Sequence, residues 1–422
     1  MIEEDAARQV PSGPRRAASD LALARAVREE SARIVAALTA ATGSLDIAED
    51  ATADAVEEAL REWRMRGIPP RPGGWLMTAA RHNALDRLRR ERTLEGKLAL
   101  LADRVIHPED PSSGWERAAE TDERLALLFG CCHPALSPEA QLALTLRAVL
   151  GVTTAQIARA TLEPEATVGQ RISRAKKKMA AAAIPVRIPE RSERAARLDV
   201  VLAVITVMYD AAHLASGAGA AADRDLAEDA LWLARVVAHE LPDEAEAAGL
   251  AALILFHRSR EPARAAGGEL VVLGEQDRTR WDQAMIALGQ SELVRAAALR
   301  RPGRWQLQAA IAACHADAVT PESTDWTQIL VLYDMLLVFD RSPIVRLNRA
   351  VALARVVGAS IALTEVDALG DRLSSYRLWH AVRGGLLREL ARTDEANAAD
   401  RAALALTGNE AERRLLLARL DR

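Results

Sequence analysis

Apolar residues recur every three to four positions along almost the whole chain, and period-two alternation is scarce, so helices are expected throughout. LALARAVREESARIVAAL at 21–38 is the first clear case, with Gly43 placed to close it. Asp46 stands where an N-cap is expected for a second helix running to Trp63. Residues 64–74, RMRGIPPRPGG, hold three prolines and three glycines, which predicts a loop. The helix WLMTAARHNALDRLRRER follows at 75–92. Residues 1–20, with Pro11, Gly13 and Pro14, read as a disordered tail, and 93–120 as a linker centred on HPEDPSSG at 107–114.

Ser137-Pro138-Glu139, with Gln141 four positions after the serine, marks another helix start. That helix leads through Gly151 into TTAQIARATLEPEATVGQRISRAKKKM at 153–179, two short helical patterns joined at Pro164. Ile157 and Ala158 belong to the inner face of the first, and Val168 and Ile172, four apart, to that of the second. Thr167, Gln170, Arg171 and Arg174 are left pointing outward. Those residue types reach base edges and phosphates when a recognition helix enters the major groove, so the segment reads as a helix-turn-helix.

Prolines 185 and 189 mark the next boundary. Helices are then expected at 193–213, 223–240, 243–257, 277–299, 306–318, 325–339, 343–357, 360–369, 376–391, 394–406 and 409–420. From Trp326 a helix start recurs 34 positions later at Ser360 and again at Asp394. That is the step of tetratricopeptide (TPR) repeats, whose consensus residues are only loosely kept here. The fold class is all-α: two small helical DNA-binding domains at 21–92 and 121–184, a helical extension at 190–300, and TPR-like repeats at 301–422.

Charge sharpens this picture. Residues 1–187 carry 27 Lys and Arg against 26 Asp and Glu, whereas 188–422 carry 28 against 33. Within the first part the signs are segregated. Residues 45–58 hold six acids and no base, and 61–92 hold nine arginines against Glu62, Asp86 and Glu91. Trp63 and Trp75 border the basic segment, as core residues or as base-stacking surfaces. Between 147 and 178 seven bases face only Glu163 and Glu165. Residues 103–123 are acidic, fit for a solvated spacer or for lying in a positive channel.

Candidate chemistry is thin. Cys131, Cys132 and Cys314 are too few for a disulfide framework. The run Cys131-Cys132-His133 lacks a second pair at ligand spacing, so it reads as buried thiols and no metal or other cofactor is expected. No nucleophile elbow, phosphate loop or HExxH helix is present, which argues against an enzyme. With no signal peptide or membrane-length apolar run, a soluble cytoplasmic protein is expected.

DIAEDATADAVEEAL, then WLMTAARHNALDRLRR, then a helix-turn-helix ending TVGQRISRAKKKM resembles, over about 21–183, the extracytoplasmic-function sigma factors of bacterial RNA polymerase. LGEQDRTRWDQAMI and LQAAIAACHADA further resemble the subgroup with a long helical C-terminal extension. Asp210-Ala211-Ala212-His213 departs from that subgroup, where an Asn-Glu-Gly-Tyr-like stretch is expected. The resemblance implies that 21–92 is sigma region 2 and 121–184 sigma region 4. Asp46, Glu49, Asp50 and Asp54 would then dock on core RNA polymerase, with the β′ clamp and β flap as partners. Arg66, Arg71, Trp75, Arg81, His82, Asn83, Arg87 and Arg90 would hold the opened −10 strand of promoter DNA. Thr167, Gln170, Arg171 and Arg174 would read the −35 duplex, with Lys176, Lys177 and Lys178 on its phosphates. The extension would regulate in cis, and its TPR-like surface could take a peptide or protein. A helix-turn-helix regulator with a ligand- or peptide-sensing TPR-like domain is the other reading, and it leaves 46–92 unexplained.

Overall fold

The computed structural model describes residues 13–102, 123–161, 163–215, 226–266 and 269–421, and nearly all of them are helical. They divide into two compact units, 1–207 and 208–422.

The first unit begins with α1 (Gly13–Thr42), α2 (Leu45–Arg66) and α3 (Pro72–Ala102), which pack mutually. Helix α1 starts within the expected tail. Asp20 accepts both an Nε and an Nη2 bond from Arg64, and the buried Ser19 hydroxyl donates to the Trp63 carbonyl, so the end of this stretch gains tertiary partners. Gly43 turns the chain at φ +70°, and Ser44, rather than Asp46, caps α2 by accepting from the Ile47 amide. Fully buried Ala51, Ala55 and Ala59 on α2 and Leu76, Ala80 and Ala84 on α3 repeat every four residues. Stripes made mostly of alanine let the helix axes approach closely. The expected loop shrinks to 67–71, because prolines at a helix start cost nothing and Pro72 opens α3. Residues 93–102 continue α3, and the 107–114 stretch lies outside the described residues.

The unit continues with α4 (Glu123–Cys131) and α5 (Pro138–Leu144), which runs into one π-helical turn (Thr145–Val149). Then come α6 (Thr154–Thr161) and α7 (Glu165–Ala181). Helix α1 packs along α4 and the π-helical turn, so α1–α3 and α4–α7 share one unit. Helix α8 (Arg191–Ala215) crosses the unit border after Val207.

In the second unit, α10 (Ala245–Ser259) is the central helix, packed by α9 (Leu226–Glu240), α11 (Gln283–Ala298) and α12 (Arg304–Asp317). Twelve of its fifteen residues are buried, so it is apolar all round. Its tightest contact is with α12. A Cβ on Gly249 would stand 2.6 Å from the Gln306 nitrogen and 2.8 Å from its Cα. Backbone cannot swing aside as a side chain can, so Gly249→Ala should lower the unit's stability by about 1–3 kcal/mol, read by urea unfolding. Beside that contact Glu246 accepts from the Trp305 and Gln306 amides, capping α12 where Gly303 has no side chain to do so. The stretch expected to start a helix at 277 instead forms a single 3₁₀ turn, and Asp282 caps α11 at 283. A two-stranded antiparallel hairpin, β1 (Ala265–Ala266) with β2 (Glu269–Leu270), was not expected.

The remainder is a run of helices in which each packs on the next. Helices α13 (Trp326–Phe339), α15 (Ala359–Asp367) and α18 (Thr393–Leu406) alternate with α14 (Pro343–Val356), α17 (Arg377–Glu389) and α19 (Glu410–Leu420), with the short α16 (Gly370–Leu373) between α15 and α17. Starts at 326, 359 and 393, and at 343, 377 and 410, keep the helix-pair step legible in the sequence. One apolar cluster joins Leu347, Val366, Trp379 and Leu387 from successive helices.

Candidate functional site

Asp46, Glu49, Asp50 and Asp54 lie on one face of α2, as their spacing of three and four requires. All four carboxylates meet a cation of the same chain. Arg87 on α3 donates from Nη1 to Asp50 and from Nη2 to Asp54, each at 2.8 Å. These bonds, Asp54's foremost, raise the Arg87 pKa. Lys176 on α7 donates to Glu49 at 2.5 Å and to Asp46 at 3.0 Å. Its side chain is only 13% exposed. Burial alone would pull the ammonium pKa down, but the Glu49 and Asp46 carboxylates together outweigh that and leave it raised.

The helix-turn-helix forms from local signals. Thr153 and Gln156 make a reciprocal capping box at the start of α6: the Gln156 amide donates to the Thr153 hydroxyl, and the Thr153 amide to the Gln156 carbonyl oxygen. Pro164 caps α7. Val168, Ile172, Ala175 and Met179 are buried, so Thr167, Gln170, Arg174, Lys177 and Lys178 share the exposed side. Arg171 is not free to reach outward. Its two Nη groups donate to both oxygens of Glu163 at 2.5 and 2.6 Å, and the pair is partly buried. Lys176 likewise faces α2 and not solvent.

Along α2 and α3 the expected strand-binding residues separate into two groups. Arg66, Arg71, His82 and Arg90 are exposed, with Arg66 paired to Glu62 and Arg90 donating to the Asp86 carbonyl. Trp75, Arg81, Asn83 and Arg87 are half-buried. Trp63 is 2% exposed and meets Trp75 edge-on at 5.7 Å, so it belongs to the core and offers no stacking face.

Cys131 and Cys132 are fully buried, and burial pushes the Cys132 thiol up to about 12, far from thiolate chemistry. Among the described residues no cluster of His, Cys, Asp or Glu is placed to hold a metal, and no helix is long and apolar enough to cross a membrane.

Residues 26–93 match the sigma-70 region 2 family, and 126–179 match sigma-70 region 4. The chain is an extracytoplasmic-function-type sigma factor with a helical C-terminal extension. Residues 197–297 match a family of unknown function, DUF6596. An uncharacterized protein of Rhizobium meliloti (strain 1021) is 40% identical over 381 residues, 90% of each chain. No solved structure matches. The region 2 match covers the acidic face and the basic helix, and the region 4 match covers α7 through Met179. Such domains imply interaction with RNA polymerase and promoter DNA. Sequence reasoning missed Glu163 as the partner of Arg171 and α2 as the partner of Lys176. The first lay within reach, eight residues apart across a turn. The second joins residues 130 apart and had no local signal.

Proposed function

We propose that this sigma factor docks on core RNA polymerase through Asp46, Glu49, Asp50 and Asp54, with the β′ clamp as the basic counterpart and the β flap as a further contact. The start of α3 and the 67–71 loop then hold the opened −10 strand, with Arg66, Arg71, His82 and Arg90 on its phosphates and bases. Holding unstacked bases and neutralising phosphates shifts the opening equilibrium. Helix α7 reads the −35 duplex through Thr167, Gln170 and Arg174, and Lys177 and Lys178 add affinity without sequence choice. The observation that carries this reading is the exposed set Thr167, Gln170, Arg174, Lys177 and Lys178 on the second helix of a helix-turn-helix whose inner face is fully buried. Arg171, held by Glu163, shapes the turn ahead of α7 and reaches DNA only if that pair opens.

The helical extension is proposed to act in cis on the sigma regions, with its TPR-like helix pairs offering a surface for a peptide or protein. The 33- to 34-residue step and the acidic balance of 188–422 support this.

Run-off transcription with purified core polymerase is the test. Full-length protein should direct transcription from a promoter with matched −10 and −35 elements. Arg174→Ala should weaken binding to the matched −35 duplex by about 1–3 kcal/mol if the arginine is bidentate to a guanine. Equal parent affinity for matched and scrambled −35 duplexes would remove the reading of α7.

A further inference from the structure

The two cations on the acidic face of α2 differ in kind. Arg87 comes from the neighbouring helix of region 2 and travels with it. Lys176 comes from the recognition helix of region 4, 130 residues from Asp46 in sequence. Its side chain is 13% exposed and its ammonium bridges Glu49 and Asp46. The contact is not isolated. Helix α1 packs along α4 and the π-helical turn, and a Cβ on Gly151 would lie 3.8 Å from the Ser31 hydroxyl oxygen. Regions 2 and 4 therefore share a packed boundary, and Lys176 closes the side of it that carries the docking carboxylates. The outward face of α7 is left open. What Lys176 engages is the surface for polymerase, at Glu49 and Asp46, and not the surface for DNA.

We infer that Lys176 is an internal latch, by which region 4 occupies the polymerase-docking face of region 2 in the free protein. The inference rests on the docking role proposed for Asp46 and Glu49. Promoter geometry requires the latch to open. The −10 and −35 elements lie about 25 base pairs apart, about 85 Å of duplex at 3.4 Å per pair. A compact unit of about 200 residues has a radius of gyration of about 16–17 Å. Regions packed in one such unit cannot read both elements at once. A basic polymerase surface and Lys176 compete for the same two carboxylates, so docking and release of region 4 are thermodynamically linked. The latch also explains why a lysine on the recognition helix is half-buried while its neighbours Lys177 and Lys178 are exposed.

The test uses the full chain carrying Ala53→Cys on α2 and Ala180→Cys on α7, both exposed positions, labelled with a fluorescent donor and acceptor. The three native cysteines are buried and should stay unlabelled. Lys176→Glu sets a third acid against Asp46 and Glu49. It should lower energy transfer and raise affinity for core polymerase by about tenfold, the tax on a closed state being removed. Lys176→Gln, which keeps most of the stem, should move both readouts the same way by less. Adding Asp46→Lys and Glu49→Lys to Lys176→Glu should restore high transfer. Unchanged transfer and unchanged core affinity in Lys176→Glu would overturn the latch. So would a loss of −35 duplex binding with transfer unchanged, since Lys176 would then be a phosphate contact only. If no form binds core polymerase but Lys176→Glu still lowers transfer, the latch stands and the docking reading fails.

Discussion

A chain ended at Ile188 is expected to unfold at a markedly lower denaturant concentration than one ended at Val207. Sequence alone puts the border of the DNA-binding half near Pro185 and Pro189. The first half of α8 nevertheless belongs to the first compact unit. Arg197 donates from Nη2 to the Phe129 carbonyl at the end of α4, at 2.6 Å. Leu198, Val201, Leu202 and Ile205 are buried on the same stretch. At about 1.5–3 kcal/mol for each large apolar side chain, losing even three of them costs several kcal/mol. That is a large share of the roughly 5–15 kcal/mol that holds a domain folded. The longer chain is therefore the proper probe of the extension. Ended at Val207, it should fold and, on the proposal that the extension regulates in cis, show sharply changed promoter activity in run-off transcription. Equal midpoints for the two shortened chains would refute the assignment of α8. Unchanged transcription and promoter choice from the longer one would remove regulation in cis.

The second large effect is expected on acidification of the other unit. His315 on α12 packs edge-on against Trp326 at 5.3 Å, and its Nδ1 is buried with no hydrogen-bond partner. Burial first, then the charges of Arg260 and Arg278, hold its pKa down to about 4. Arg278 is fixed there by donating to the His315 and Ala318 carbonyls at 2.6 Å and to the Thr324 hydroxyl, and both arginines flank the buried Trp281 ring. Because the folded pKa lies below the ordinary 6.5, the unfolded chain takes the proton first as pH falls. The neutral ring's contribution is fully present above about 6.5 and is lost progressively down to about 4, an effect of about 3 kcal/mol. Protection factors of the α12 and α13 amides, exchange rates corrected for the intrinsic pH dependence, should fall as pH drops through that window. In His315→Leu the slope between those pH values should vanish. The same slope in parent and variant would assign it to other groups.

Much of this was legible beforehand because the deciding interactions are local. Capping by Ser137, the proline opening of α7, the four-residue apolar spacing of Val168 and Ile172, and the 34-residue recurrence are short-range physical signals. They placed most helices of the extension within a few residues. The misplacements share a cause. Asp46 loses the cap to Ser44 because the helix begins one residue ahead of it, and the 64–74 loop shrinks because Pro72 is tolerated in a first helical turn. The 13–20 stretch is helical because Ser19 and Asp20 find partners at Trp63 and Arg64, 44 residues on.

The sequence by itself determined the all-helical class, the order of acidic helix, basic helix and helix-turn-helix, and the chemistry available on each face. Residue type and periodicity suffice for that, since a helix declares its buried stripe within a few turns. Which charges stay available to a partner was decided only by the tertiary structure. Arg171 and Lys176 stand on the same helix as Arg174 and Lys177, with the same formal charge, yet the first two are spent on Glu163 and on Glu49 with Asp46. An ion pair depends on where two side chains meet in space. For Lys176 that meeting is set by the packing of α1 on α4 and the π-helical turn, which no local pattern encodes.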